Sequence, residues 1–298
     1  MRFVFSSGTV SNATVRAALV AVSALSLSAC SETFDKLNPF ADEKYKPEVV
    51  EEVPAANLYN DGLARMSDSN FTGASKKFSD LEKQHPYSPY AKKALLMTAY
   101  TNYESGSYDD AIQASKRYLT LHPGDKDAAY AQYLMAMSYY SMAPDVSRDQ
   151  EQAEKAGVAL QELVQRYPTS EYVKDAKWKL QVIQDQLAGK EMEVGRYYLN
   201  RRNYTAAINR FRVVVSRYQT TRHVEEALER LTEAYMALGI VNEAQTAAAV
   251  LGHNFPDSPW YKDAHALLAK GGASPREDRG SWISRSFRSV VGLVSGSN

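Results

Sequence analysis

One cysteine, five histidines and 35 carboxylates are the side chains with which this 298-residue chain could do chemistry. The lone cysteine, Cys30, allows neither an internal disulfide nor a cysteine-based metal site. His85, His122, His223, His253 and His265 include no His-x-x-x-His or His-Glu-x-x-His spacing. His223 with Glu225 and Glu226 comes nearest to a metal set and lacks that geometry. No Gly-rich phosphate loop and no Gly-x-Ser-x-Gly elbow occurs, and Gly271-Gly272 follows no strand. The paired acids Asp109-Asp110 and Glu225-Glu226 fall at helix starts, where carboxylates complement the helix dipole. These residues assemble no catalytic set, so the reading is a non-enzyme with no catalytic residue, no metal and no cofactor. Thirty-five Lys and Arg balance 35 Asp and Glu. A neutral chain without a basic stripe is not an electrostatic nucleic-acid binder.

The chemistry of Cys30 comes from its setting. Ala18 to Ser28 is an apolar run too short to span a bilayer, and it reads as the core of a secretory signal. Leu27-Ser28-Ala29-Cys30 follows and resembles a bacterial lipobox, in which the thiol receives a diacylglycerol and the signal is cut just before it. Each buried CH2 of the acyl chains contributes about 0.8 kcal/mol, so several chains anchor a protein essentially permanently. Ser31 occupies the place where an Asp usually marks inner-membrane retention, which points to the outer membrane. Residues 31–54 carry Pro39, Pro47 and Pro54 among acids and lysines and read as a flexible tether. Such a segment spans roughly 25–30 Å on average.

The body must then be positioned by its elements, and these repeat. With Phe71, Tyr108, Ala153, Tyr204 and Val241 as anchors, alanine stands three residues later each time: Ala74, Ala111, Ala156, Ala207 and Ala244. Ten residues on stand Leu81, Tyr118, Leu163, Val214 and Leu251. Fourteen on is always a ring: His85, His122, Tyr167, Tyr218 and Phe255. Proline follows the ring in four units, with Gln219 as the exception. The two histidines at the ring position are packing residues in this reading. Small alanine lets helices approach closely, and proline stops each second helix. First helices are predicted at 55–69, 91–105, 126–142, 171–202 and 222–238. Gly62 and Gly195 precede their alanines by twelve residues, as in the tetratricopeptide pattern. The predicted fold is an all-α solenoid of about five tetratricopeptide-like helix pairs. Unit three carries an insertion, 143–152, and unit four has a lengthened first helix. The domain reading is signal 1–29, lipidated tether 30–54, repeat domain 55–270, and linker with amphipathic tail 271–298.

Two features remain for binding. Of the 20 tyrosines, many fall on first helices: Tyr59, Tyr100, Tyr103, Tyr130, Tyr133, Tyr139, Tyr140, Tyr172, Tyr197, Tyr198 and Tyr235. First helices line the groove of such solenoids, and Tyr joins large area, few rotors and a polar tip. In the tail, Trp282, Ile283, Phe287, Val290, Val291, Leu293 and Val294 share half a helical wheel, with Arg285 and Arg288 opposite. The expectation is a segment freed by its polar linker, disordered alone and helical on anionic lipid or a partner.

Four stretches, HPYSPYAKKA (85–94), SRDQEQA (147–153), YPTSEYVKDAKWKL (167–180) and EVGRYYLNRRNYTAAINRF (193–211), resemble the BamD family, lipoproteins of the β-barrel assembly machinery of Gram-negative outer membranes. The resemblance covers about 30–256. It implies a non-enzymatic scaffold on the periplasmic face of the outer membrane. The implied partners are the POTRA region of a BamA-type barrel protein, other lipoproteins of the machinery, and unfolded outer-membrane protein precursors, with no nucleic acid. Tyr100 and Tyr103 then belong to the precursor-binding groove, and Tyr197, Tyr198 and Arg210 to the partner side of unit four. Arg210, between Ile208 and Phe211, suits a carboxylate on that partner. The alternative is another tetratricopeptide lipoprotein, a secretin pilotin or a cell-wall synthase regulator.

Overall fold

The computed structural model describes residues 53–295, with side chains through Arg288. The signal, Cys30 and the tether to residue 52 lie outside the described residues. The described chain is helix after helix: α1 (Ala55–Ser67), α2 (Phe71–Gln84), α3 (Ala91–Glu104), α4 (Tyr108–Leu121), α5 (Ala128–Met142), α6 (Glu151–Arg166), α7 (Val173–Asn200), α8 (Tyr204–Arg217), α9 (Val224–Ala237), α10 (Val241–Asn254), α11 (Pro259–Lys270) and α12 (Trp282–Ser295). Ten of these are the five expected pairs. Every second helix except α6 begins on its predicted anchor, and α6 begins two residues early.

The register explains the packing. Ala74, Ala111, Ala156, Ala207 and Ala244 are fully buried, as are Leu81, Leu163, Val214 and Leu251, and Tyr118 nearly so. The ring residues His85, His122, Tyr167, Tyr218 and Phe255 each end a second helix as its C-cap. Gly62 and Gly195 are glycine for a local reason. A Cβ on Gly62 would stand 2.5 Å from the Phe78 ring, and one on Gly195 2.4 Å from the Phe211 ring. Both rings are completely buried. In units two and five the residue matching Phe78 is Ser115 or Ala248, and there the glycine position carries Ala99 or Thr232. The large ring and the missing Cβ are one device.

First helices of neighbouring units touch, α3 with α5 and α9 with α11, while successive second helices make little mutual contact. Grooves therefore open between second helices, floored by the first helix beneath. Helix α7 runs 28 residues, and its middle is braced on both sides. Gln186 donates to the Pro144 carbonyl (2.6 Å) and Lys190 to the Ser147 carbonyl (3.0 Å), which folds the unit-three insertion against it. Gln181 donates to the Thr220 carbonyl on the other side (3.1 Å).

Two expectations change. Helix α11 is a further first helix beyond the five pairs. Pro259 opens it, since a missing N–H costs nothing in the first turn, and Ala264 and Leu268 bury its face. The tail is not free of the body. Its expected linker lies along α10: Gln245 donates to the Ser274 carbonyl (2.8 Å), the Arg276 amide to the Gln245 carbonyl (3.3 Å), and the Asp278 amide to the Thr246 hydroxyl (3.2 Å). Helix α12 then rests across α8 and α10, with Ile283 fully buried and Trp282 and Phe287 packed on the core of units four and five. The apolar stripe expected to meet anionic lipid or a partner is, at least to Phe287, a face packed on the chain's own repeats.

Candidate interaction surfaces

The first-helix side of units one to three carries a run of aromatic rings. Phe71 meets Tyr100 edge-on with centroids 6.4 Å apart, and Tyr103 lies 5.8 Å from Tyr108. Tyr130 and Tyr133 on α5 both approach Tyr172, at 5.3 and 4.9 Å, the second pair stacked. The Tyr133 hydroxyl donates to Asp175 (2.7 Å). Burial pushes the phenols of Tyr100, Tyr130, Tyr133 and Tyr172 upward, so all four stay neutral donors at physiological pH. Tyr130 and Tyr172 also wall a cleft of about 500 Å3 with Lys126, Arg166 and the turns at Pro123 and Pro168. Partly buried rings with polar tips, fixed by neighbours, suit an extended chain with aromatic side chains of its own.

Not every first-helix tyrosine belongs to that surface. Tyr59 and Tyr235 are core residues, 8% and 7% exposed. Tyr139 lies on the opposite side, in the groove between α4 and α6 beneath Lys116. The expected list therefore divides into groove, core and outer-groove rings, because a helix presents three sides within one turn.

In unit four, Tyr197 and Tyr198 end the long helix. Tyr197 is 51% exposed with the Arg201 guanidinium 4.5 Å over its ring, and Tyr198 packs inward, its ring 5.6 Å from that of Tyr197. Arg210 is exposed on α8, but its acidic partner is in this chain: Nη1 donates to Glu191 Oε2 of α7 at 3.2 Å. The expected carboxylate is met internally because the extra turns of α7 bring Glu191 beside α8. An exposed pair of this kind contributes little to stability, about 0–1 kcal/mol, and leaves the remaining guanidinium donors available.

Sequence reasoning missed an ionic ladder across α7, α9 and α11. Arg196 grips Glu226 through two bonds of 2.7 and 2.9 Å. Arg230 reaches Glu229 (3.3 Å) and Glu233 (2.8 Å) and lies 5.4 Å from the Trp260 ring centroid. Burial, with Glu233, Asp263 and Glu226 adding to it, pushes the Glu229 carboxyl up to about 7 against the pull of Arg230. The only available signal was a Glu-rich first helix, which also describes an ordinary solvated face. His223 caps α9 and faces Asp185 at 3.9 Å, whereas Glu226 turns to Arg196. Among the described residues no His, Cys, Asp and Glu cluster has the make-up of a metal site, and no helix is long and apolar enough to cross a membrane.

The repeat body has counterparts among known proteins. Residues 51–251 match the YfiO family, described as an outer membrane lipoprotein. The chain is 45% identical over 236 residues to the outer membrane protein assembly factor BamD of Caulobacter vibrioides, covering 79% of this chain and 77% of that one. It is 40% identical to the BamD of Rickettsia prowazekii (72% and 86% covered) and 35% identical to that of Neisseria meningitidis serogroup A (80% and 91%). With agreement running from the first helix pair into the fifth, this chain belongs to the YfiO family of outer membrane lipoproteins, the family of the BamD assembly factors.

Proposed function

We propose that this protein is an outer membrane protein assembly factor: a scaffold, not an enzyme, that helps insert β-barrel proteins into the outer membrane. The observation that carries the reading is the match to BamD relatives over most of both chains. The surfaces fit it. The rings of Tyr100, Tyr103, Tyr130 and Tyr172 offer a groove for an unfolded precursor segment, and the end of α7 with Arg210 offers a polar face to the periplasmic POTRA region of a BamA-type partner. Cys30, after Leu27-Ser28-Ala29, is the acylated residue that holds the body at the periplasmic face of the membrane. Other lipoproteins of the machinery complete the set of partners.

Affinity isolation of the full-length protein from detergent-solubilised outer membrane tests this reading. A large barrel protein with periplasmic POTRA domains is expected in comparable amount. Isolation with a secretin or a cell-wall synthase instead would overturn it.

A further inference from the structure

The tail helix α12 shows what the grooves between second helices can hold, and the repeat register shows where another such site lies. Between α8 and α10, the Trp282 indole sits 4.9 Å under the Arg212 guanidinium and donates to the Tyr235 hydroxyl of α9 (3.2 Å). Ser281 donates to Glu243 (2.6 Å), and Thr246 accepts from the strap that leads in. Arg212 is eight residues past the start of α8. Tyr235 is the twelfth residue of α9. Glu243 and Thr246 are two and five residues past the fifth anchor.

The same register positions two units earlier are Lys116 on α4, Tyr139 on α5, and Lys155 and Val158 on α6. All four line one open cleft of about 350 Å3, with Met135 and Ala159 at its floor. Lys116 stands 5.7 Å over the Tyr139 ring, whereas in the filled groove the corresponding Arg212 lies over Trp282, which in turn donates to the corresponding Tyr235. Val158 is 60% exposed, an aliphatic side chain pointing at water where Thr246 is covered by the strap. The groove one unit further toward the N-terminus has Ser79, Asn102, Asp110 and Gln113 at these positions, and so has neither cation nor ring. A cation and a tyrosine thus hold the same two register positions in two grooves, one filled and one open.

We propose that the α4–α6 groove is a docking site for an amphipathic helix of another protein. That helix presents one large aromatic ring to Lys116 and Tyr139 and an aliphatic ridge to Val158 and Met135. Charge separates it from this chain's own tail. Where Glu243 accepts from Ser281, the open groove has the cation Lys155, paired with Glu151 one turn earlier at 2.7 Å, so the visiting helix carries a carboxylate just ahead of its ring that shares this cation. The rim acids Glu154 and Glu162 match a basic outer face, such as Arg285 and Arg288 give α12. The site is independent of the precursor and POTRA surfaces proposed above, and lies on the other side of the solenoid from the tyrosine groove.

The probe is a labelled synthetic peptide of residues 278–295 carrying Ser281→Glu, titrated by fluorescence anisotropy. Its receptor is the chain from residue 30 with Cys30→Ser, which needs no detergent and keeps its own tail in the α8–α10 groove. Saturable binding is expected. It should weaken about tenfold or more with Val158→Glu or Tyr139→Ala in the protein, as for a central contact, and with Trp282→Ala in the peptide. Val158 is exposed, so its substitution leaves folding intact; unchanged circular dichroism of that variant makes the comparison clean. Absence of saturable binding would overturn the proposal. So would binding indifferent to Val158→Glu, which would mean that the peptide had exchanged into the α8–α10 groove.

Discussion

Glu229 is the carboxyl group whose protonation the fold shifts most among the described residues. Its carboxyl is 5% exposed and raised to about 7 from the usual 4.5. A raised carboxyl favours the folded state while protonated. The contribution is complete below about pH 4.5 and is lost as pH climbs through 7. Glu229→Gln is expected to flatten that part of the pH profile and to raise stability at pH 8 by about 1–3 kcal/mol. Urea melts at pH 5.5 and 8 measure it, and an unaltered difference between the two would show that Arg230 keeps Glu229 ionised throughout. Arg210 tests differently. Arg210→Glu should weaken recovery of the barrel partner, yet it also sets two acids, Glu191 and residue 210, side by side. The swap Glu191→Arg with Arg210→Glu restores the pair. If the swap recovers stability and the partner stays lost, Arg210 itself meets the partner; if the swap restores both, its role is internal. The Arg210–Glu191 pair could not be read from the sequence, because a 19-residue separation acquires meaning only once the phase of α7 is known. The proposal for Cys30 rests on its immediate neighbours alone, since acylation is specified by local sequence, and the residue lies outside the described residues.

At the scale of elements, alanines and prolines at fixed offsets located every helix pair, because each offset is one side of a helix. What escaped the reading was coupling between offsets. Gly195 and Phe211 sit in different helices, and neither residue type reveals the other. Gly195→Ala should cost about 1–3 kcal/mol despite better helix propensity, because its Cβ would invade the ring. Phe211→Leu should relieve most of that added cost in the double variant. Gly157→Ala is the control: its Cβ would meet only Ile183 at 3.4 Å, so little or no loss is expected. Equal costs in thermal melts for the two glycines would remove the ring from the explanation. Helix α11 was missed although Pro259, Ala264 and Leu268 mark it, since it lacks a second helix to complete the offsets. The tail was assigned to the wrong environment: an apolar stripe gives the width of a buried face and not what buries it. Hydrogen exchange should find the amides of 285–288 protected in the intact chain. Ile283→Ala, at about 2–4 kcal/mol for a buried aliphatic truncation, should abolish that protection. Exchange as fast as in a free peptide before any substitution would contradict docking.

At the scale of the molecule, a solenoid separates its surfaces. The aromatic groove lies on first helices, the outer grooves on second helices, and the polar face at the end of α7 between them. Under the function proposed above, one chain would hold a precursor and a barrel partner without competition, and an acyl group on Cys30 would fix the whole to the membrane. Cys30→Ser should shift the protein from the outer-membrane fraction to the soluble periplasm or to a retained precursor, with no second cysteine to compensate. Normal membrane retention of that variant would contradict acylation. The central claim is assembly itself. Its most direct measurement is to deplete the protein conditionally and follow the folded, heat-modifiable fraction of newly made outer-membrane β-barrels. The account predicts that this fraction falls as the protein is lost while other outer-membrane lipoproteins hold their level; barrels that fold at an unchanged rate in depleted cells would contradict it.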